Sequence, residues 1–227
     1  MIYLKTLEEL ILEITRYHEH LRQYSDDTKT QGQLKDRLSQ WYNQLDITVF
    51  VANNEQLPYT SKELGFRTKP MLSKAQTGCL QVGDYNFHID NIGGKFLDGF
   101  GGLVVERKTC ADFYGTMFGA RDRFYREIDR FQADIRFDRF LIFVECGIGE
   151  WINYRPPNTT SKDMMINQKM AVLGSLEARG AHVVWCGNRA IATRLYRDYV
   201  KQYCIKNYAK ILGLGLKERA FRVFDND

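Results

Sequence analysis

The chain has 227 residues, a length that suits one α/β domain with an appendage or two small domains. Hydrophobic residues make up 44% of the sequence, but no apolar run approaches the roughly 18 residues that span a bilayer, so we expect no membrane segment. The five cysteines are widely spaced and form no Cys-x-x-Cys pair, which argues against a disulfide framework or a zinc site, and a net charge of +4 alone identifies no partner.

The N-terminal part of the sequence predicts a helical hairpin over residues 1–45. A Thr-x-x-Glu capping box opens the first helix, over 6–24, and apolar residues then recur with the helical period. A polar link leads to a second amphipathic helix, predicted near 33–45. Residues 1–5 lack the basic and then apolar pattern of a signal peptide, so we expect an intracellular protein, either cytoplasmic or in the nucleoid or nucleus.

Three strands are predicted next, at 46–52, 80–89 and 103–108. Glycines are concentrated between the last two, over 91–102, which indicates a hairpin with an enlarged tip. The intervening segment 53–78 is mixed in character and predicts no regular element.

The second half of the sequence alternates helices with short apolar strands, a pattern typical of α/β crossovers and a parallel sheet. A long helix is predicted to begin near Thr109. The elements predicted after it are a buried strand at 140–144, a proline-containing loop at 147–160, a helix at 162–179, a strand at 182–186, a helix at 189–211 and a loose tail at 213–227.

The third strand ends in an unusual run of charged residues, Glu106-Arg107-Lys108. Side chains at i and i+2 of a strand share a face, so Glu106 and Lys108 project together and Arg107 points the other way. Asp84, after Gly83 on the preceding strand, adds a second carboxylate. Carboxylates can hold a hard cation and an ammonium can stabilise a charged phosphate, so this set predicts metal-assisted cleavage of a phosphodiester.

Each of these residues also has an ordinary structural explanation. Asp84 could form an ion pair at a strand end, and Glu106 with Lys108 could form a cross-strand salt bridge. Asp112 follows Thr109 by three residues, a spacing typical of a helix start, where an acid is stabilised by the helix dipole. Arg107 could be structural or contact a backbone phosphate.

Arginines recur along the helix that follows the acidic residues. Three of them share one helix face by their spacing, and acids are interspersed between them, so a DNA-binding track and a solvated face of mixed charge are both open. The predicted DNA-binding residues are Arg107, Arg121, Arg123, Arg126 and Arg130.

Gly83-Asp84, followed at a distance by Glu106-Arg107-Lys108-Thr109-Cys110-Ala111-Asp112, resembles the nuclease signature of the XPF-type structure-specific endonuclease family, and the likeness extends over about 46–210. The resemblance implies a restriction-endonuclease-like α/β fold, in which a mixed central sheet is flanked by helices. It also implies DNA as substrate, Mg²⁺ or Mn²⁺ as cofactor, and nicking near a branch or another irregularity. Asp84, Glu106 and Asp112 then have metal-site and catalytic roles, and Lys108 has the role of the catalytic lysine.

The first strand departs from the family pattern. The family has Val-Asp-x-Arg-Glu where this chain has Val51-Ala52-Asn53-Asn54-Glu55, so Glu55 is retained as a possible accessory residue. The resemblance divides the chain into the N-terminal hairpin at 1–45, an XPF-like nuclease domain at 46–212 and a C-terminal tail at 213–227. We do not expect this tail to hold the tandem helix-hairpin-helix domain that often follows in the family.

The sequence therefore favours a metal-dependent DNA endonuclease or nickase, selective for a structure or a site. A non-catalytic DNA-binding or scaffold member of the family is one alternative, and a junction resolvase or RNA-directed nuclease with the same core is another. Family members commonly dimerise through C-terminal helices, so we expect a homodimer, or a partner protein, at 162–179 and 189–211.

Overall fold

A computed structural model describes residues 6–71, 82–91, 100–133, 137–156 and 162–212. The predicted tail at 213–227 and most of the predicted glycine-rich tip lie outside these ranges. The chain forms two compact units. The described residues of Ile47–His88 and Gly99–Arg197 form one unit, and those of Met1–Asp46, Ile89–Asp98 and Asp198–Asp227 form the other.

A six-stranded mixed sheet is the central feature of the fold, with the strand order β2-β1-β3-β4-β5-β6. Strands β1 and β2 are parallel, β3 and β4 are antiparallel, and β4, β5 and β6 run parallel to one another. The predicted mixed sheet flanked by helices is thus confirmed. The strands are β1 (Asp46–Val51), β2 (Arg67–Pro70), β3 (Tyr85–Asn91), β4 (Phe100–Lys108), β5 (Arg139–Val144) and β6 (Ala181–Trp185).

The described helices precede the sheet in the sequence, connect its strands or follow the last strand. None of them is both long and apolar enough to cross a bilayer. They are α1 (Leu7–Gln23), α2 (Thr28–Tyr42), α3 (Ser61–Leu64), α4 (Cys110–Gly119), α5 (Arg121–Gln132), α6 (Ile148–Asn153), α7 (Lys162–Ala178), α8 (Arg189–Lys206) and α9 (Tyr208–Ile211).

The sheet-bearing unit has a core formed by alternate residues of the parallel strands and the apolar stripes of the crossover helices. Val104 of β4 and Ile142 of β5 belong to one buried cluster with Phe113 of α4, Ile128 of α5 and Leu176 of α7. Complete burial of side chains of this size contributes about 1.5–3 kcal/mol each. This packing holds α4 and α5 against the end of β4, where the charged residues lie.

Several elements differ from the sequence predictions. The predicted long helix divides at Ala120 into α4 and α5, directly after Gly119, a residue that disfavours helix. The predicted proline loop contains α6, whose Trp151 is completely buried. The segment predicted to be irregular contains α3 and β2. The predicted final helix ends at Lys206, and the short α9 follows it.

The other unit contains the predicted helical hairpin, formed by α1 and α2, together with the C-terminal part of α8 and α9. The predicted capping box at Thr6 is present, and Asp27 caps α2. His18 Nδ1 is hydrogen bonded to the hydroxyl of Tyr208, and both side chains are buried. The separate domain predicted to end at residue 45 stays a prediction.

Candidate active site

A sharp turn at Gly83 presents Asp84 to the end of strand β4. Gly83 has a φ of +70°, and a Cβ atom at this position would lie 2.4 Å from Cγ1 of Val104. Only glycine fits both constraints. After the turn, the N–H of Asp84 donates to the carbonyl of Val105 at 2.9 Å, and the carbonyl of Asp84 accepts from the N–H of Ala52 at 2.8 Å. The backbone of Asp84 is therefore fixed between two strands.

The carboxylates of Asp84 and Glu106 are both buried. Asp84 is 9% exposed and Glu106 is 5% exposed. Oδ2 of Asp84 accepts a 2.8 Å hydrogen bond from the backbone N–H of Arg107, and Oε1 of Glu106 accepts a hydrogen bond from the ammonium of Lys108. The strand alternation thus places Glu106 and Lys108 together, as the sequence predicts.

Burial dominates the electrostatics of these groups. It raises the pKa of Asp84 to about 6, although the hydrogen bond from Arg107 and the charge of Lys108 act in the opposite direction. Burial, followed by the negative charge of Asp84, raises the pKa of Glu106 to about 8. Burial is the largest single influence on Lys108 and lowers its pKa, but the charge and hydrogen bond of Glu106, together with the charges of Asp84 and Glu127, raise the pKa above its ordinary value. Burial therefore disfavours the charged form of both acids, and one lysine is shared between them.

Asp112 lies at the start of α4, where the sequence allows it to be part of the helix cap, a metal ligand, or both. Its N–H donates to Oγ1 of Thr109 at 3.2 Å, and Oγ1 of Thr109 donates to its Oδ2 at 2.7 Å. Asp112 therefore takes part in the N-terminal cap of α4. Asp112 also lines the open cavity that contains Asp84, Glu106 and Lys108. Its role as a metal ligand stays a prediction.

A divalent cation is compatible with this set of donors. Among the residues that the structure describes, no three His, Cys, Asp or Glu side chains have the arrangement of a metal site. However, Mg²⁺ is usually held by one or two carboxylates, with water and substrate oxygens completing its coordination. Two desolvated carboxylates in an open cavity, Asp84 and Glu106, supply that minimum set of protein ligands.

Arg107 lies on the other face of β4, where it joins two more acids. Its guanidinium donates to Glu145 at 2.9 and 2.8 Å and to Glu55 at 3.2 Å, and its side chain is 9% exposed. The hydroxyl of Tyr59 donates to Oε1 of Glu145 at 2.9 Å. These contacts agree with the structural role that the sequence allowed for Arg107. A contact with DNA phosphate, the predicted alternative, would require this network to open.

Glu55, the possible accessory residue, lies between the ion-pair network of Arg107 and the acids of the cavity. It pairs with Arg107, and its negative charge contributes to the raised pKa of Asp84. Its Oε1 also accepts the N–H of Leu57 at 2.9 Å. Glu55 thus fixes the loop after β1 at the edge of the cavity.

Glu127 of α5 is a site residue that the sequence did not predict; it is one of the acids interspersed among the arginines of this helix. Its Oε1 accepts the N–H of Gly83 at 3.1 Å, and its charge acts on the pKa of Asp84, Glu106 and Lys108. The helical period offered a signal for this position. Glu127 lies three residues after Phe124 and four before Phe131, within the apolar stripe of the helix.

The four predicted DNA-binding arginines of α5 are all exposed. Arg123 and Arg130 line the cavity that contains the acids. Arg126 lies beside them on an adjoining groove, and Arg121 lies over the ring of Tyr125 at 6.0 Å. Their position would bring a bound polyanion to the acids, but their contact with DNA stays a prediction.

Residues 52–196 match the model of the ERCC4 domain, so the chain belongs to the ERCC4 domain family, a family of nucleases. This confirms the family predicted from the sequence motif. Among solved structures, the chain is similar to XPF from Aeropyrum pernix, with 16% identity and a TM-score of 0.46 over 72% of this chain and 68% of that one. It is also similar to XPF from Aeropyrum pernix in complex with DNA, with 20% identity and a TM-score of 0.44 over 70% and 65% of the two chains. No curated protein matches the chain.

Proposed function

We propose that this chain is a metal-dependent DNA endonuclease or nickase that hydrolyses phosphodiester bonds at a selected structure or site. The observation that carries the proposal is the pair of buried carboxylates, Asp84 and Glu106, beside the ammonium of Lys108 in an open cavity. Burying acids without matching cations is unfavourable, so such a group is a candidate for function. Membership of the ERCC4 domain family supports the same conclusion.

The proposed roles follow from the chemistry of each side chain. Asp84 and Glu106 would hold Mg²⁺ or Mn²⁺, and Asp112, which lines the same cavity from the start of α4, would join them as a further ligand only after its side chain moves. When bound, such a cation lowers the pKa of a water molecule and neutralises phosphate charge. The ammonium of Lys108 stabilises the negative charge that develops on the phosphoryl oxygens. The oxygen of the attacking water bonds to phosphorus, and the bond from phosphorus to one sugar oxygen breaks. The water loses a proton to solvent, and the departing sugar oxygen takes up a proton from solvent.

The arginines of α5 would position the DNA. Arg123 and Arg130 are exposed on the same cavity as the acids, and Arg121 and Arg126 extend the positive charge along the helix. Guanidinium groups bind phosphates without reading the sequence, which suits selection of DNA by shape. Affinity for DNA would then fall steeply with increasing salt.

A homodimer or a partner protein would assist selection of the site through α7 and α8. Met170 of α7 is 41% exposed and Ile191 of α8 is 46% exposed. By contrast, Cys204 and Ile205, farther along α8, are buried within the chain. An interface on these helices would therefore use Met170 and Ile191. Light scattering of the wild type and of the Met170→Glu, Ile191→Glu double variant tests this surface.

Nicking of supercoiled plasmid tests the catalytic proposal. The wild type should nick in Mg²⁺ or Mn²⁺ and not in EDTA, whereas Asp84→Asn, Glu106→Gln and Lys108→Met should each lower the rate by at least about a hundredfold. Glu177→Gln is the matched control, because Glu177 pairs with His182 at the surface. Equal rates for all variants would indicate a contaminating nuclease and contradict the proposal. A panel of linear, forked, flapped and four-way DNAs, with RNA counterparts, then identifies the substrate.

One observation favours a second candidate, a non-catalytic DNA-binding member. Ala52, directly after β1, stands where the motif of the family has an acid, and it is buried. The ammonium of Lys108 also occupies one oxygen of Glu106. Binding of branched DNA that persists in Asp84→Asn, without cleavage by the wild type in any divalent metal, would support this candidate.

A further inference from the structure

The turn that presents Asp84 is held from outside the sheet by one side chain. Gly83 is a buried residue, and Oε1 of Glu127 on α5 accepts its N–H at 3.1 Å in a partly buried hydrogen bond. A buried donor without an acceptor is costly, so this hydrogen bond favours one conformation of the turn. The glycine itself permits many conformations, because it carries no Cβ. Glu127 therefore adds a restraint at Gly83 to the two backbone hydrogen bonds that fix Asp84.

The position of Glu127 on its helix agrees with this function. Phe124 and Ile128, its neighbours on α5, are buried in the core, so the segment of α5 that carries Glu127 is fixed by packing. The side chain of Glu127 is only partly buried, and it lines the cavity that contains Asp84 and Lys108. A rigid helix thus carries the acceptor directly to the backbone of the turn.

We propose that Glu127 is a positioning residue, whose carboxylate oxygen orients Asp84 by holding the backbone of the Gly83 turn. Its effect on catalysis rests on the proposed nuclease function, but its effect on the turn does not. This role requires a side chain long enough to bring an acceptor oxygen to the N–H of Gly83. It does not require a negative charge. Two substitutions separate these properties. Glu127→Gln keeps the length and an acceptor oxygen but removes the charge, whereas Glu127→Asp keeps the charge and shortens the side chain by one methylene.

The first measurement is hydrogen exchange of the Gly83 amide, followed by NMR in EDTA. Loss of one hydrogen bond of ordinary strength should raise this rate by up to about tenfold in Glu127→Asp. Glu127→Gln should exchange like the wild type. Asp122→Asn, which removes an exposed acid from the same helix, is the control for charge and should also exchange like the wild type. Unchanged exchange in Glu127→Asp, or faster exchange in Glu127→Gln, would overturn the proposal.

The second measurement is plasmid nicking by the same variants in Mn²⁺. Glu127→Asp should lower kcat by about tenfold or more with little change in KM, because the DNA-binding arginines are intact. Glu127→Gln should retain most of the activity. The reverse order, with Glu127→Asp active and Glu127→Gln inactive, would show that charge matters and would contradict a positioning role. If the wild type does not nick DNA, the proposed function fails, while the exchange measurement still decides the role of Glu127 in the turn.

Discussion

The backbone N–H of Arg107 donates a 2.8 Å hydrogen bond to Oδ2 of Asp84, so the strand that carries Glu106 and Lys108 also fixes the second acid. The side chain of Arg107 points away from this site and pairs with Glu145. One residue therefore connects the acids in the cavity to an ion-pair network on the other face of the sheet. The backbone N–H and the guanidinium of Arg107 therefore have separate roles, and substitution of the side chain removes only the second.

Arg107→Ala should destabilise the protein severely. Removal of the guanidinium leaves the buried carboxylates of Glu55 and Glu145 unpaired, which costs about 3–5 kcal/mol. The midpoint of thermal unfolding should fall by at least about 6 °C in a chain of this size. Arg126→Ala, on the exposed face of α5, should change it by no more than a degree or two. A stable Arg107→Ala variant that had lost only DNA affinity would show that Arg107 binds phosphate.

Gly83→Ala should be more damaging than Gly65→Ala, although both glycines have positive φ angles of +70° and +68°. A Cβ at position 83 would lie 2.4 Å from Val104, whereas a Cβ at position 65 would meet the flexible side chain of Arg197 at 3.4 Å. Gly65→Ala should cost about 1 kcal/mol from backbone strain alone. Urea unfolding of both variants measures the difference. Equal losses would mean that the turn before Asp84 has room to adjust.

Removal of negative charge from the site should stabilise the metal-free protein. Asp84 and Glu106 are buried together, and Glu127 adds a third acid against the charge of Lys108. In EDTA, Glu106→Gln or Asp84→Asn should raise the free energy of unfolding by about 1–2 kcal/mol, as in other sites where function opposes stability. Both substitutions keep an oxygen that can accept the existing hydrogen bond. Lower thermal midpoints for both variants would contradict the interpretation that the buried acids destabilise the metal-free protein.

The stability of the helical unit should fall at mildly acidic pH because of His18. Burial lowers the pKa of His18, and the charge of Arg22 acts in the same direction. The folded state thus binds a proton less readily than the unfolded state, so stability is present at neutral pH and is lost as the pH falls below about 6.5.

Urea unfolding at pH 7.5 and 5.5 measures this loss. His18→Gln should be less sensitive to this change of pH than the wild type, whereas His20→Gln, which changes an exposed histidine of the same helix, should respond like the wild type. An unchanged pH response in His18→Gln would assign the effect to other groups.

Local patterns in the sequence predicted the elements with clear periodicity. The hairpin of α1 and α2 follows from apolar spacing, and the buried strand β5 follows from a continuous apolar run. The shared face of Glu106 and Lys108 follows from strand alternation. Strand β2 escaped prediction because its residues are mostly exposed and carry no apolar alternation. Helix α6 escaped because six residues are too few to show a helical period.

The candidate site was predictable where its residues are close in sequence. The motif from Glu106 to Asp112 spans one strand end and one helix start, so the sequence alone was enough to predict its chemistry. The contacts that support it, from Glu127 to Gly83 and from Arg107 to Glu145, join residues 44 and 38 positions apart. No local pattern specifies such pairs, although an acid within the apolar stripe of α5 marked Glu127 as unusual.

The most direct test of the central claim is anomalous diffraction from crystals soaked in Mn²⁺. We expect a manganese peak bonded to one carboxylate oxygen each of Asp84 and Glu106, with the ammonium of Lys108 displaced from Glu106. The peak should be absent from crystals of Asp84→Asn. A fully soaked crystal in which Lys108 still covers Glu106, and in which no ion lies between the two acids, would contradict the assignment of this cavity as a metal-dependent nuclease site.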